Sequence, residues 1–471
     1  METRIEKDFL GTLEIPKDVY YGVQTARAMQ NFPITNLTMH KEMVRALAIV
    51  KKSAALANLA VGKLDEKIAQ AIARAADDIL AGNLLDQFPV DPIQGGAGTS
   101  MNMNANEVIA NRALEMIGEE KGNYAVISPN SHVNMAQSTN DAFPTAIHIA
   151  TVVTLGRLIE AMESMKASFE RKAKEFDHIV KMGRTHLQDA IPVRLGQEFG
   201  SHAAVIARDI VRIKRAKADL FEVNIGATAI GTGLNADVHY MEHAVKNIAD
   251  LTGYPFVNTK NLIDGTQNTD VYVQTSSVLK IAMVNISKIA NDLRLMASGP
   301  KAGFSEIRLP ERQPGSSIMP GKVNPVMPEV INQIAFQVVG NDATITMASE
   351  AGQFELNVME PVLVHNLLQS IEIMTNGFTV FTKYCIDGIE PNEAKMLNYV
   401  ETSIGVVTAL APHLGYERSS QIAREALQTS KSVRDLCLEH GFFTTAQLDA
   451  ILNPFEMTEP GIAGEKEMAK A

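Results

Sequence analysis

The segment Gly315-Ser316-Ser317-Ile318-Met319-Pro320-Gly321-Lys322-Val323-Asn324-Pro325 sets two adjacent hydroxyls, an ammonium and a carboxamide close together. Glycines at 315 and 321 let backbone N–H groups turn toward a ligand, and Lys322 places a cation beside them. Such a donor set suits an anionic substrate; the plainer reading is a flexible surface loop. Stretches rich in Gly, Ser, Thr, Asn or His recur at 94–100, 131–140 and 183–189, and the signature stretch itself lies within 299–325. Long connections inside a compact chain are usually functional or disordered, and four of similar chemistry favour function.

Other patterns carry less. Gly315 to Lys322 imitates a phosphate loop, but five residues separate the glycines instead of four, and Val323 stands where a metal-binding hydroxyl is needed. Gly95-Gly96-Ala97-Gly98 and Gly231-Thr232-Gly233 lack the full dinucleotide fingerprint and its preceding strand. His239-Tyr240-Met241-Glu242-His243 could present two imidazoles on one helical face, yet no third ligand and no cysteine pair accompany it, so no metal site is assigned.

The elements that must hold these loops are helical. Leu279, Met283, Ile286, Ala290, Leu293 and Ala297 recur every three or four residues and predict one long helix over about 273–297. Similar stretches run over about 144–176, 197–223, 328–349 and 361–384, with shorter helices at 41–59 and 66–81. The long helices carry few charges on any face, which predicts packing on all sides. The expected fold is therefore mainly all-α, in three domains: a mostly helical N-terminal domain at 1–140, a central bundle of long helices at 141–394 and a small helical C-terminal domain at 395–471. The last residues, from Gly461, read as a frayed tail.

Composition sets the exclusions. In 471 residues there are 43 Lys plus Arg against 54 Asp plus Glu, a formal charge of −11, with no basic block, so nucleic-acid binding through phosphate neutralisation is not expected. No run of 18 apolar residues predicts a membrane span, and the first residues have no apolar core of a signal peptide. Two cysteines, Cys385 and Cys437, cannot build a disulfide framework and imply a reducing cytoplasm. Any positive charge that meets an anionic substrate must be local.

The eleven residues from Gly315 to Pro325 closely resemble the signature loop of the fumarase and aspartase superfamily. Gly96-Ala97-Gly98-Thr99-Ser100 with Asn102 and Asn104, Gln137-Ser138-Thr139-Asn140-Asp141, and Gly183-Arg184-Thr185-His186-Leu187-Gln188-Asp189 resemble its other site-building regions, and the likeness covers nearly the whole chain. Within the superfamily the chain is similar to aspartases. Thr139 stands where fumarases typically show a second serine, Pro325-Val326-Met327-Pro328-Glu329 replaces a Thr-Gln-Cys-Glu segment, and Glu360 replaces a lysine.

The resemblance implies reversible removal of ammonia from L-aspartate to give fumarate, by anti elimination through an aci-carboxylate. It also implies a homotetramer with a many-helix core and active sites shared between three subunits, and a chemistry that requires no cofactor; an activating divalent cation is left open. A fumarate hydratase acting on malate and a noncatalytic structural member are the alternatives. C3 is too weakly acidic unless the adjacent carboxylate takes up the charge, so donors must surround that carboxylate. Thr99, Ser138, Thr139 and Ser317 match positions that bind it. Lys322 and Asn324, with Thr185, match the anchor of the other carboxylate; Asn140 and His186 match positions near the departing amine; Met319 completes the substrate-binding set. Ser316 matches the general base, which would act as an alkoxide held by loop amides and the Lys322 charge. His186 is its rival on pKa alone. His132 reads as a structural residue of its loop, His148 and His202 as core or interface groups, and Arg184 as a field or ion-pair residue.

Overall fold

The structure, a computed structural model, describes residues 2–469. After a hairpin of β1 (Thr3–Asp8) and β2 (Gly11–Pro16) come helices α1 (Val23–Asn31), α2 (Lys41–Ala60), α3 (Glu66–Leu80), α4 (Thr99–Met116) and α5 (Thr139–Glu175). A second hairpin, β3 (Val180–Thr185) and β4 (Gln188–Arg194), leads into α6 (Leu195–Asp219), α7 (Tyr240–Thr252), the single turn α8 (Asp264–Gln267), α9 (Asp270–Met296), α10 (Val326–Glu350) and α11 (Glu360–Tyr384). Shorter helices α12 (Glu393–Thr402), α13 (Ala411–Leu414), α14 (Tyr416–Thr429), α15 (Val433–Glu439) and α16 (Thr445–Ile451) follow. The fold is mainly helical, as the periodicity predicts, and the five long helices fall within a few residues of their expected positions. On α9, Leu279, Met283, Ile286, Ala290 and Leu293 are buried, so the stripe faces the core.

The chain forms two compact units. One takes the chain up to Glu160 with Asp209–Met283 and Ile334–Thr375; the other takes Ala161–Arg208, Val284–Gln333 and the chain from Asn376 onward. In the first, α2, α3 and α4 pack through small side chains such as Ala46, Ala54, Ala69, Ala76 and Ala110, all buried. In the second, Leu410, Ile422, Leu436, Cys437, Leu448 and Ile451 make a separate apolar cluster among the short helices. Each fully buried leucine or isoleucine contributes about 1.5–3 kcal/mol of transfer free energy. Both cysteines are free and buried.

α5 contains a stretch long and apolar enough to cross a membrane, but 72% of that stretch is buried inside the fold, as befits a core helix. Its Pro144 has no N–H for the Asn140 carbonyl one turn earlier. Asn224 Nδ2 donates to that carbonyl at 3.0 Å instead, so the proline leaves no buried acceptor unpaired.

Two expectations change. The stretch 183–189 is not an open loop: it is the tip of the β3–β4 hairpin, with Thr185 opposite Gln188. The two-residue turn is His186-Leu187, at φ 54° and 59°, where hairpins normally use Asn or Gly, so the usual sequence signal for such a turn is missing. The terminal stretch is also less frayed than expected, since Ala463 O meets His413 Nε2 at 2.8 Å and Glu465–Met468 form a helical turn. Lys470 and Ala471, part of the same expectation, lie outside the described residues.

Candidate active site

In the first unit, three of the expected site residues start α5. Ser138 precedes the helix, its Oγ accepts the Asn140 N–H at 3.2 Å, and its own N–H is held by Asp141 Oδ1 at 2.9 Å. This reciprocal arrangement caps the helix from both directions. Asp141 Oδ2 also accepts the Gly226 and Thr228 N–H groups at 2.9 and 3.0 Å, and Asn140 Nδ2 donates to Ala229 O at 2.7 Å. Segment 224–229 is thus fastened to the α5 N-terminus. Burial pushes the Asp141 carboxyl up to about 6, against the opposing pull of its amide donors and of Lys51.

Thr99 begins α4. Gly98 before it sits at φ +85°, and a Cβ there would lie 2.6 Å from the Phe143 ring, so only glycine lets the helix start this close to α5. The hydroxyl-bearing residues Thr99, Ser138 and Thr139 therefore cluster at the N-termini of two long helices. Such ends attract anions through unpaired amides and the helix dipole. The two helix starts are joined by Asn102 of α4, whose Nδ2 donates to Thr139 Oγ1 at 3.1 Å.

Lys51 of α2, which no pattern in the sequence singles out, lies beneath this arrangement. Its side chain is fully buried, and Nζ donates to Asn102 Oδ1 at 2.6 Å, Gln137 Oε1 at 2.9 Å and Asn134 Oδ1 at 3.0 Å. Burial draws its ammonium down to about 7, partly offset by Asp141. In the sequence, Asn134 is legible only as a member of a polar loop, and Gln137 as the first residue of a segment that resembles a site-building region.

The remaining expected residues belong to the second unit. Ser316 Oγ accepts the backbone N–H groups of Met319 at 3.0 Å and Ile318 at 3.2 Å. The loop is pinched shut behind it: Gly315 N donates to Lys322 O at 2.7 Å, and Asn324 Nδ2 donates to Gly315 O at 2.8 Å. A Cβ on Gly315 would meet Lys322 O at 2.7 Å and Asn324 N at 2.8 Å, so the pinch requires glycine. Ser317, Met319 and Lys322 are exposed at the surface of this loop, while Ser316 and Asn324 are half-buried. Asn324 Nδ2 carries a second proton beyond the one given to Gly315 O.

Thr185 and His186 are exposed at the tip of the β3–β4 hairpin. Its base is held by fully buried Glu306, which pairs with Lys181 and Arg184, each at 2.8 Å. Arg184 also lies over the Phe304 ring, 4.3 Å from its centroid. Arg184 is thus a structural ion-pair residue that orients the hairpin. His132 Nδ1 accepts the Ser128 N–H at 2.9 Å, which makes it a structural group of its own turn. His202 packs edge-on to Phe169 in the core, and His148 to Tyr272.

Hydroxyl, amide and cationic donors thus gather at helix starts in the first unit and on a loop and a hairpin tip in the second. The lyase family model matches residues 11–340, and the model described as fumarase C C-terminus matches 406–459. The chain belongs to this lyase family, the fumarase/aspartase superfamily, on its aspartate ammonia-lyase branch. It is 65% identical to the aspartate ammonia-lyase of Bacillus subtilis (strain 168), covering 100% of this chain and 99% of that one. It is 64% identical to the aspartate ammonia-lyase of a Bacillus species, covering 99% of each. The crystal structure of a fumarate lyase:delta crystallin from Brucella melitensis bound to cobalt matches with a TM-score of 0.95 at 47% identity, covering 98% of this chain and 100% of that one.

Proposed function

We propose that this chain deaminates L-aspartate reversibly to fumarate and ammonia, and that Ser316 removes the C3 proton. The observation that carries the assignment of the base is the pair of loop amides on Ser316 Oγ. A serine hydroxyl is a poor base, but its alkoxide is stabilised by two aimed N–H groups and by the Lys322 ammonium on the same loop.

Once the proton leaves, charge moves onto the adjacent carboxylate as an aci-carboxylate, and the C–N bond then breaks on the opposite face. Thr99, Ser138, Thr139 and Ser317 donate to that carboxylate. Neutral hydroxyls suit this task because their hydrogen bonds strengthen as charge grows, whereas a fixed cation would bind the ground state as tightly. Lys322, Asn324 and Thr185 hold the other carboxylate. Asn140 and His186 meet the departing amine, and Met319 contributes its amide to the base. The carboxylate of the substrate takes up the electron pair itself, so the chemistry requires no cofactor.

The active enzyme is a homotetramer whose sites combine loops from three subunits. Support comes from large apolar side chains left exposed on otherwise packed helices: Val211 of α6 at 46%, Val284 of α9 at 54%, and Phe336 and Met347 of α10 at 70% and 72%. Light scattering giving a monomer would overturn this assembly.

The deciding assay follows the ultraviolet absorbance of fumarate with aspartate or malate as substrate. Fumarate from aspartate alone is the expected result. Fumarate from malate would make the chain a hydratase, and none from either would leave a structural protein.

A further inference from the structure

Lys51 is a cation buried without a carboxylate in hydrogen-bond contact, a costly arrangement that folding alone does not require. All three of its protons go to carboxamide oxygens, those of Asn102, Asn134 and Gln137. Three oxygens around one nitrogen demand three N–H donors, so the geometry is that of the charged ammonium.

An ammonium has no acceptor, so the atom of Asn102 that faces it must be the oxygen. The other end of that carboxamide is then necessarily the NH₂ group, and it reaches Thr139 Oγ1 at 3.1 Å and Asn134 Oδ1 at 3.2 Å. Because Thr139 Oγ1 already accepts from Asn102, its own proton is free to point away from Asn102. With a neutral, non-donating residue at position 51, the Asn102 oxygen loses its donor and only the Asn134 Oδ1 and Thr139 contacts of its NH₂ end oppose the amide turning over. Once turned, its oxygen would draw the Thr139 proton inward, and the hydroxyl would present lone pairs to an anion.

We propose that Lys51 is a positioning residue for the elimination: through Asn102 it fixes the Thr139 hydroxyl as a donor to the carboxylate that becomes the aci-carboxylate. This rests on the role given to Thr139 above. The chain from Lys51 through Asn102 to Thr139 is also polarised along its length by the buried positive charge, so its last bond strengthens most when the ligand is most negative. The effect belongs to the transition state more than to bound aspartate.

The test compares the intact wild-type enzyme with Lys51→Met and Asn102→Asp. Aspartate at position 102 keeps a partner for Lys51 but cannot donate to Thr139, so it reverses that hydroxyl while retaining the buried ion contact. It serves as the decisive variant should Lys51→Met fail to fold. The readouts are kcat and KM for aspartate, and the inhibition constants of succinate and of the aspartate analogue whose C4 carboxylate is replaced by a nitro group, which as a nitronate copies the aci-carboxylate.

Loss of one donor to the developing charge is expected to lower kcat and nitronate affinity by about 10²-fold. KM for aspartate and succinate affinity should stay within about threefold, because ground-state binding is largely untouched. Equal losses toward nitronate and succinate would overturn the proposal, showing general damage to the pocket. So would unchanged kcat in Asn102→Asp. Should the wild type bind the nitronate no more tightly than succinate, the aci-carboxylate reading itself falls, a result distinct from any difference among variants.

Discussion

Ser316 Oγ accepts the backbone N–H of Met319 at 3.0 Å, so the loop that presents the proposed base also supplies the dipoles that hold its charge. Base and stabiliser are three residues apart and cannot drift independently. Replacing Ser316 by alanine removes the proton acceptor without disturbing any core contact. Ser316→Ala is expected to reduce kcat for fumarate formation by about 10²–10⁴-fold with an unchanged unfolding midpoint. Substantial residual turnover would remove Ser316 from the role of base.

Lys322 differs from Ser316 in what its loss should do. Its backbone carbonyl closes the loop onto Gly315, but its ammonium is exposed and available to a carboxylate. Lys322→Ala retains the closing carbonyl and deletes only the charge. A hydrogen bond to a charged group is worth about 1.5–3 kcal/mol, so KM for aspartate should rise by about 10- to 150-fold. Steady-state kinetics decide it, and an unchanged KM would exclude the anchoring role.

Gly315 offers a test of geometry rather than chemistry. An alanine Cβ would lie 2.7 Å from Lys322 O, which forces the pinch open and shifts the amides that face Ser316. A displacement of about 1 Å at a reacting group costs about 10²-fold in rate. Gly315→Ala should therefore lose kcat while its thermal midpoint matches that of the wild type, since the loop lies outside the apolar core. Retained activity would show that the loop does not need this closure.

His202 gives a pH prediction. Burial holds its imidazole down at about 4, well below the ordinary 6.5. As pH falls below 6.5 the unfolded chain takes up a proton that the folded chain refuses, so this residue's contribution to stability is lost between pH 6.5 and about 4. At about 1.4 kcal/mol per pH unit the loss reaches about 3 kcal/mol. His202→Phe keeps a ring beside Phe169 and cannot titrate. Denaturant unfolding at pH 7 and pH 4.5 should show a smaller acid loss in the variant; identical losses would show that His202 takes its proton in the folded state.

Helix placement and loop chemistry were legible in the sequence because both are local. The stripe from Leu279 to Leu293 is set by the helical repeat alone, and it is buried in the fold. The signature loop is contiguous, so Ser316, Lys322 and Asn324 stand out from their order along the chain alone. The His186-Leu187 turn was not legible, because left-handed backbone at both positions is imposed by the pairing of β3 with β4 and not by the residues in the turn.

What only the tertiary structure decided lies across long separations. Lys51 meets Gln137 86 positions away, and Arg184 meets Glu306 122 positions away. A lysine in an alanine-rich helix reads as a solvated charge, and nothing within a helical turn of Lys51 says otherwise. Its burial follows from α2 packing against the elements that carry Asn102, Asn134 and Gln137. The sequence by itself determined which hydroxyl, amide and cationic groups are candidates for the chemistry. Their orientation, and the buried charge behind Thr139, exist only once distant segments pack, because a hydrogen bond's direction depends on partners that local periodicity cannot specify.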